Sequence, residues 1–145
     1  MPNFRRGHYE VKNGSKYAGN GKPIFRSGWE MAFMNFCDNN ENILQWASEP
    51  VRIPYRNPIT GKMTMYVPDF LVTYRAPNNT TRAELIEIKP KKQSVVESKM
   101  SNAEKAVIAT NYAKWDAATK WAKQQGLTFR VITEDQIFHQ GNKKR

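Results

Sequence analysis

The stretch "VPDFLVTYRAPNNTTRAELIEIKPKK" (residues 67–92) decides the predicted fold, because it reads as two β-strands joined by a polar turn at residues 78–81. In the second strand Glu87 and Lys89 alternate with isoleucines. Side chains alternate between the two faces of a strand, so the two charged groups share one face and the isoleucines point into the predicted core. A strand does not need these charges for its own formation, and a function is one explanation for them.

The rest of the chain adds helices and strands around this hairpin. Ser27 is a good N-cap for a helix that the Asn-rich stretch from Asp38 ends, and Gly126 is a natural residue after the end of a second helix. Strands are predicted at residues 51–55 and 63–74, with "NPITGK" as their hairpin connection, a long helix at 102–125, and a last strand in "LTFRVIT". This order of elements predicts one α/β domain.

The composition favours a polyanionic partner. Twenty-three Lys and Arg against thirteen Asp and Glu give a formal net charge of +10 and a pI near 9.8, which suits nucleic acid, although a membrane surface or an acidic protein would also attract it. No uncharged apolar run is long enough to span a bilayer, so a soluble intracellular protein is expected. Cys37, His8 and His139 form no pattern typical of a zinc site, and any metal is expected to have oxygen ligands.

Three parts of the chain are distinguished by charge. Residues 1–22 form a basic N-terminal arm with a net charge of +4 (five basic residues minus Glu10), residues 23–138 form the folded domain, and residues 139–145 form a basic tail. Two interpretations of the arm stay open: it contacts phosphates or docks on a partner, or it is a solvated terminus. The basic residues predicted to contact DNA phosphates are Arg5, Arg6, Lys16, Lys22, Arg26, Lys91 and Lys92.

Asp69 lies near the start of the strand that precedes the turn, among apolar residues, where an unpaired carboxylate is costly. One compensation is a salt bridge of Lys89 with Asp69 or Glu87 on a solvated face of the sheet. The other is a divalent cation held by Asp69, Glu87 and the backbone carbonyl of Ile88, an oxygen set that suits Mg²⁺. Such an ion polarises a phosphodiester, and Lys89 orients the attacking water or stabilises negative charge.

Glu30 also has two interpretations. In the sequence Ser27-Gly28-Trp29-Glu30 it completes a capping box, in which its side chain returns to the backbone N–H of the cap residue. Alternatively, its carboxylate reaches from the helix toward the Asp69 site.

These motifs, in this order, resemble a known group of enzymes. "FRSGWE", "VPDF" and "IEIKPKK" are similar to the PD-(D/E)xK nuclease superfamily, and phage Holliday-junction resolvases and TnsA-type transposition endonucleases have a similar layout. The head completion nucleases of T-even-like tailed phages resemble the chain more closely. The matching segments are residues 26–30, 46–55, 86–92 and 129–135, so the resemblance covers nearly the whole chain after Lys22.

The resemblance implies a restriction-endonuclease-like fold, in which a mixed central β-sheet is flanked by α-helices. It implies that Asp69, Glu87 and the carbonyl of Ile88 bind Mg²⁺, for which Mn²⁺ substitutes, that Lys89 serves the attacking water, and that Glu30 is an additional catalytic acid and metal ligand. It further implies an endonuclease that cuts double-stranded DNA when phage heads are completed, in the host cytoplasm or on the virion, with portal, neck or other head proteins as partners.

Three alternatives remain at this level. A structural head-completion protein would hold DNA or a portal-like partner without catalysis, and a junction resolvase would share the chemistry but prefer four-way DNA. Glu84, three residues before Glu87, is the alternative acid if the register of the strand is different, but Lys89 would then fall outside the motif.

Overall fold

A computed structural model of the chain describes residues 6–94, 97 and 99–136. The elements named below are two α-helices, eight strands and two short 3-10 helices, and residues 134–136 are also helical. The helices are α1 (Gly28–Asn39) and α2 (Asn102–Gln124), and the 3-10 helices are Gly14–Lys16 and Lys91–Gln93. The strands are β1 (Gly7–His8), β2 (Ile24–Phe25), β3 (Ile43–Ser48), β4 (Ile53–Arg56), β5 (Met63–Tyr66), β6 (Phe70–Arg75), β7 (Thr81–Ile88) and β8 (Thr128–Ile132). No helix in the described part of the chain is long and apolar enough to cross a membrane.

The central sheet has four strands in the order β3-β6-β7-β8. β3, β6 and β7 pair antiparallel, and β8 joins β7 in parallel after the α2 crossover, so the sheet is mixed. β1 pairs with β2, and β4 pairs with β5, in separate two-stranded ribbons. A mixed sheet between two helices confirms the predicted fold class.

Both faces of the sheet are covered. Phe33, Met34 and Cys37 of α1 pack on one face with Ile86 and Ile88, whereas the other face buries Leu85 under α2. The two isoleucines therefore point into a core, as predicted. One of the two interpretations of the charged residues assumed that the opposite face is solvated. The structure does not fit that assumption, because α2 and the β4–β5 hairpin lie over this face and Glu87 is only 5% exposed.

The helices begin and end where the sequence predicted them to. Ser27 Oγ accepts the N–H of Glu30 at 3.1 Å at the start of α1. Ser101 and Glu104 form a full capping box at the start of α2. Gly126, with φ of +78°, follows the end of α2 in the left-handed region that glycine adopts without steric cost.

Two strand predictions differ from the structure. β3 was not predicted, because its buried positions do not alternate and its register with β6 is irregular between Ile43 and Gln45. The single strand predicted at 63–74 is two strands, β5 and β6, in different sheets. The break includes Pro68, which has no backbone N–H to donate to a neighbouring strand. This proline was predicted to mark a strand start or an edge. Asp69 therefore lies where the chain enters the central sheet.

The described part of the predicted arm is packed on the domain. Tyr9, which was expected outside the core, is 8% exposed and packs in the α1 cluster. The buried carboxylate of Asp38 accepts the hydroxyl of Tyr9 at 2.8 Å and the backbone N–H groups of Lys12 and Asn13 at 2.7 and 3.0 Å. This side chain therefore fastens residues 9–13 to α1. Arg5 and the predicted tail at 139–145 lie outside the described residues.

Candidate active site

The end of the β6–β7 ladder brings Asp69 close to Glu87. Phe70 pairs with Ile86 as the last pair of this antiparallel ladder, Asp69 is the residue just before Phe70, and the charge of Glu87 acts on it. The backbone N–H of Ile88 donates to Asp69 Oδ2 at 2.7 Å, which holds this carboxylate against the end of β7.

Glu87 is held at both carboxylate oxygens. The hydroxyl of Tyr66 donates to its Oε1 at 2.6 Å, and Lys89 Nζ lies 3.6 Å from its Oε2. Tyr66 was not predicted as a site residue, although it lies only three positions before Asp69. It was assigned to the same continuous strand as Asp69, whereas the structure places it in β5, which belongs to a separate ribbon.

The two carboxylates disfavour each other's ionised form. Burial raises the pKa of Asp69 well above its ordinary value, and the negative charges of Glu87 and Glu30 raise it further, against the opposing effects of the Ile88 N–H and Lys89. Burial also raises the pKa of Glu87, although Tyr66 and Lys89 partly offset it. The positive charge of Lys89 therefore does not fully offset the effects that raise the pKa of these two carboxylates.

Glu30 belongs to this acidic group through its position and its charge. Its Oε1 accepts the backbone N–H of Arg26 at 2.9 Å, one residue before the predicted partner Ser27, so only half of the expected capping box is present. Burial raises the pKa of Glu30, and nearby Glu49 raises it too. This side chain therefore fastens the helix start, and its negative charge raises the pKa of Asp69. Its interpretation as a site residue stays a prediction.

Glu49 is a second neighbour that was not predicted. Its backbone N–H donates to the carbonyl of Asp69 at 2.8 Å, and its φ of +50° is unusual for a residue with a side chain. Its carboxylate forms an ion pair with Arg26, a predicted DNA-contacting residue. No periodicity marks this position, because the residue lies just after β3, which was itself not predicted.

Lys114 of α2 completes the surroundings. Its Nζ lies 5.8 Å from the ring centroid of Tyr66. Burial and the charge of Lys89 lower the pKa of Lys114, whereas Glu87 and Asp69 act in the opposite direction. Sequence reasoning missed it, because the apolar spacing of a helix does not show which polar side chain turns toward a site on the sheet.

Glu84 is excluded as the partner of Asp69. It lies three positions from Glu87 and therefore on the opposite face of β7. There it pairs with Arg130 at 3.1 Å and accepts the hydroxyl of Tyr74 at 3.2 Å, at the rim of a cleft of about 690 Å³. The cleft lies on the α1 side of the sheet, away from the carboxylates of Asp69 and Glu87.

The basic residues predicted for DNA contact lie in different surroundings. Lys16 donates to the carbonyls of Asp38 and Asn40 at 3.1 and 2.8 Å, so it caps the end of α1. Arg6 and Lys92 are exposed. Exposed ion pairs join Lys22 to Glu10 at 2.8 Å and Lys91 to Asp135 at 3.7 Å.

The oxygen donors at this site are of the chemical type that a small hard cation prefers. In the described ranges, no group of three or more His, Cys, Asp or Glu side chains is arranged to hold a metal ion. The N–H of Ile88 points toward Asp69, whereas the N–H of Lys89 donates to Ile132 on the other side of β7. Since N–H and C=O of one strand residue project to the same edge, the Ile88 carbonyl also faces Asp69. Two carboxylates and one carbonyl would leave other ligand positions of such an ion to water and phosphate, as is common for Mg²⁺.

Comparison with known proteins gives two matches. Residues 40–134 match the family model described as TnsA-like endonuclease N terminal. The curated "Head completion nuclease" of Enterobacteria phage T4 is 35% identical over 140 residues, which cover 89% of this chain and 91% of that protein. No solved structure matches significantly.

Proposed function

Because the chain belongs to the family of TnsA-like endonucleases, we propose that it is a metal-dependent DNA endonuclease that acts in phage head completion after DNA packaging. The observation that carries the proposal is the juxtaposition of buried Glu87 with Asp69 at the end of β7, next to Lys89. A purely structural salt bridge needs one carboxylate, whereas this site brings together two that repel each other. A divalent cation removes that repulsion.

Each residue has a defined part in the proposed chemistry. Asp69, Glu87 and the Ile88 carbonyl would hold the ion, and Tyr66 orients Glu87 through its hydrogen bond. A bound Mg²⁺ supplies Lewis-acid chemistry, polarising the scissile phosphate and lowering the pKa of a water. The ammonium of Lys89 positions the attacking water or stabilises charge in the transition state. Glu30 adds negative charge and is a further candidate ligand.

The test is incubation of purified protein with supercoiled plasmid in Mg²⁺, in Mn²⁺ and in EDTA, read on a gel. We expect nicking with either ion and none in EDTA. Glu87→Gln is expected to lower the rate by about 10²-fold or more, since it removes a charged ligand. Glu84→Gln is the matched control, because it makes the same change on the opposite face of β7 and should leave cleavage near the wild-type rate.

Other outcomes separate the alternatives. Protein that shifts DNA but does not cut it in any ion would support the non-catalytic head-completion protein that binds DNA or a portal. Strong preference for a four-way junction over linear duplex would support the resolvase. Equal cleavage rates for Glu87→Gln and Glu84→Gln would contradict the assignment of the site.

Tyr66→Phe is expected to raise the Mg²⁺ or Mn²⁺ concentration needed for half-maximal cleavage by about 10- to 100-fold. Groups that orient a ligand typically contribute this much to metal affinity or activity, and the change removes the 2.6 Å hydrogen bond to Glu87. Cleavage is measured over a range of ion concentrations. Tyr74→Phe is the control, because it removes a hydroxyl that bonds Glu84 away from the site. An unchanged ion requirement in Tyr66→Phe would argue against the orienting role.

A further inference from the structure

The β4–β5 hairpin has two chemically different faces. Its inner face buries Ile53, Tyr55 and Tyr66 against α2 and Leu85. Its outer face follows from the register, in which Arg56 pairs with Met63 and Pro54 pairs with Met65. One pair further, Arg52 and Val67 continue the same side of the ribbon. We call the six residues Arg52, Pro54, Arg56, Met63, Met65 and Val67 the outer hairpin face.

The outer hairpin face is exposed, although half of it is strongly apolar. Met63, Met65 and Val67 are 57, 51 and 38% exposed, and Arg52, Pro54 and Arg56 are exposed too. Neighbouring large apolar side chains in solvent indicate a contact surface more often than isolated ones do. The guanidinium of Arg56 donates to the carbonyl of Gly61 at 2.7 Å, which keeps this arginine against the ribbon.

The charge of this segment selects the kind of partner. Residues 50–68 contain Arg52, Arg56 and Lys62 and no Asp or Glu. A surface with positive charge and no negative charge fits a polyanion. A two-stranded antiparallel ribbon also has the width that enters a DNA groove, and Met, Pro and Arg are side chains that contact sugars, bases and phosphates there.

The hairpin is continuous with the candidate active site. Tyr66 points from its inner face to Glu87, and two residues after Val67 the chain reaches Asp69. Two extended residues span about 7 Å. A duplex seated on the outer hairpin face would therefore lie within reach of the two carboxylates.

We propose that the outer hairpin face is a contact surface for duplex DNA that seats the substrate beside Asp69 and Glu87. Arg52 and Arg56 contact backbone phosphates, and Met63 and Met65 make apolar contacts in the groove. The proposal rests on the proposed endonuclease function, for which it supplies the substrate contact.

The test measures binding without cleavage. A fluorescently labelled duplex of about 25 base pairs is titrated in EDTA at several salt concentrations, and its anisotropy is recorded. We expect Arg52→Gln/Arg56→Gln to weaken DNA binding about 10-fold or more. It should also reduce the slope of log binding constant against log salt concentration by about 2 in magnitude, because each lost phosphate contact reduces that slope by about 1. Met63→Thr/Met65→Thr is expected to weaken binding with little change in slope.

Arg75→Gln/Arg82→Gln is the matched control. It removes the same charge from exposed arginines at the opposite end of β6 and β7 from Asp69. Its binding is expected to stay within about threefold of wild type, since it changes net charge but not the proposed contacts. Thermal unfolding of every variant excludes loss of the fold as the cause.

The outcomes separate this proposal from the proposed function. Equal weakening by the hairpin and control pairs would overturn the DNA surface, since only net charge would then matter. Unchanged DNA binding together with loss of self-association in Met63→Thr/Met65→Thr would overturn it in favour of a second copy of the chain. If wild type binds through the hairpin but cuts DNA in no ion, the DNA surface stands and the endonuclease proposal fails. If the protein cuts DNA in a metal-dependent way but the hairpin variants bind DNA as tightly as wild type does, the endonuclease proposal stands and the DNA surface fails.

Discussion

Asp69→Asn is expected to abolish metal-dependent cleavage, with a rate at least about 10³-fold below wild type. The amide keeps the shape of the side chain and an oxygen that accepts the Ile88 N–H, which Asp69 Oδ2 now accepts at 2.7 Å. It loses the negative charge that would hold a cation beside Glu87. The fold and DNA binding are therefore expected to persist while catalysis is lost.

The same change is expected to stabilise the protein without metal, by about 0.5–2 kcal/mol near neutral pH. Burial and two acidic neighbours raise the pKa of Asp69, so its neutral form is more strongly favoured in the folded state than in the unfolded state. The stability that neutral Asp69 contributes is fully present below the pKa of about 3.9 that the side chain has in the unfolded chain. It is lost as the pH rises through the pKa of Asp69 in the folded state. Asparagine is neutral throughout, so its advantage should grow with pH over that range and vanish in acid.

The measurement combines plasmid cleavage in Mg²⁺ with thermal unfolding in EDTA from about pH 3 to pH 8. Asp116→Asn is the control, because Asp116 is exposed on α2 and pairs with Lys120 in a surface ion pair of 3.0 Å. It should change neither rate nor stability measurably. If the Asp69→Asn variant cuts DNA at the wild-type rate, Asp69 has no catalytic role. A variant that neither cuts nor gains stability would indicate that Asp69 is structurally required.

Asp38→Ala is expected to lower the free energy of unfolding by about 2–4 kcal/mol, since hydrogen bonds to a charged group each contribute about 1.5–3 kcal/mol and are not additive. The side chain is fully buried and accepts Tyr9 and the N–H groups of Lys12 and Asn13. Burial acts to raise the pKa of Asp38, but these hydrogen bonds outweigh it and the pKa is lowered. The stabilisation is therefore present above the unfolded pKa and is lost as the pH falls through the folded one.

Urea unfolding at several pH values measures the loss, which should shrink in acid, where wild type also loses the ionised carboxylate. Hydrogen exchange gives a local readout, because the amides of Lys12 and Asn13 should lose protection while α2 keeps it. Asp135→Ala, on the exposed surface, is the matched control. Protected amides at Lys12 and Asn13 in Asp38→Ala would show that other contacts hold this segment.

Local patterns were sufficient to predict much of this protein. The start of α1, the end of α2 at Gly126, and the turn that joins β6 to β7 follow from cap and turn residues whose chemistry acts over a few positions. The helical spacing of residues 102–125 predicted the extent of α2. The alternation of β7 showed that Glu87 and Lys89 share a face. The order of the motifs indicated the nuclease family before the fold was described.

Other features depended on contacts distant in sequence. β3 has no regular alternation, and its place beside β6 comes from the burial of Trp46, which is 1% exposed. Tyr9 entered the core because Asp38, 29 residues later, accepts its hydroxyl. Neither contact leaves a periodic signal in the chain.

For the site, the sequence by itself singled out Glu30, Asp69, Glu87 and Lys89 as candidates, because the motifs that contain them resemble those of a nuclease family. Only the tertiary structure decided that Asp69 lies close to Glu87 and that Glu84 faces away, because the pairing register depends on the whole β6–β7 hairpin. It also brought Tyr66 and Lys114 to Glu87 from a separate ribbon and a distant helix. Local preferences determine elements, whereas the packing of those elements determines which side chains meet.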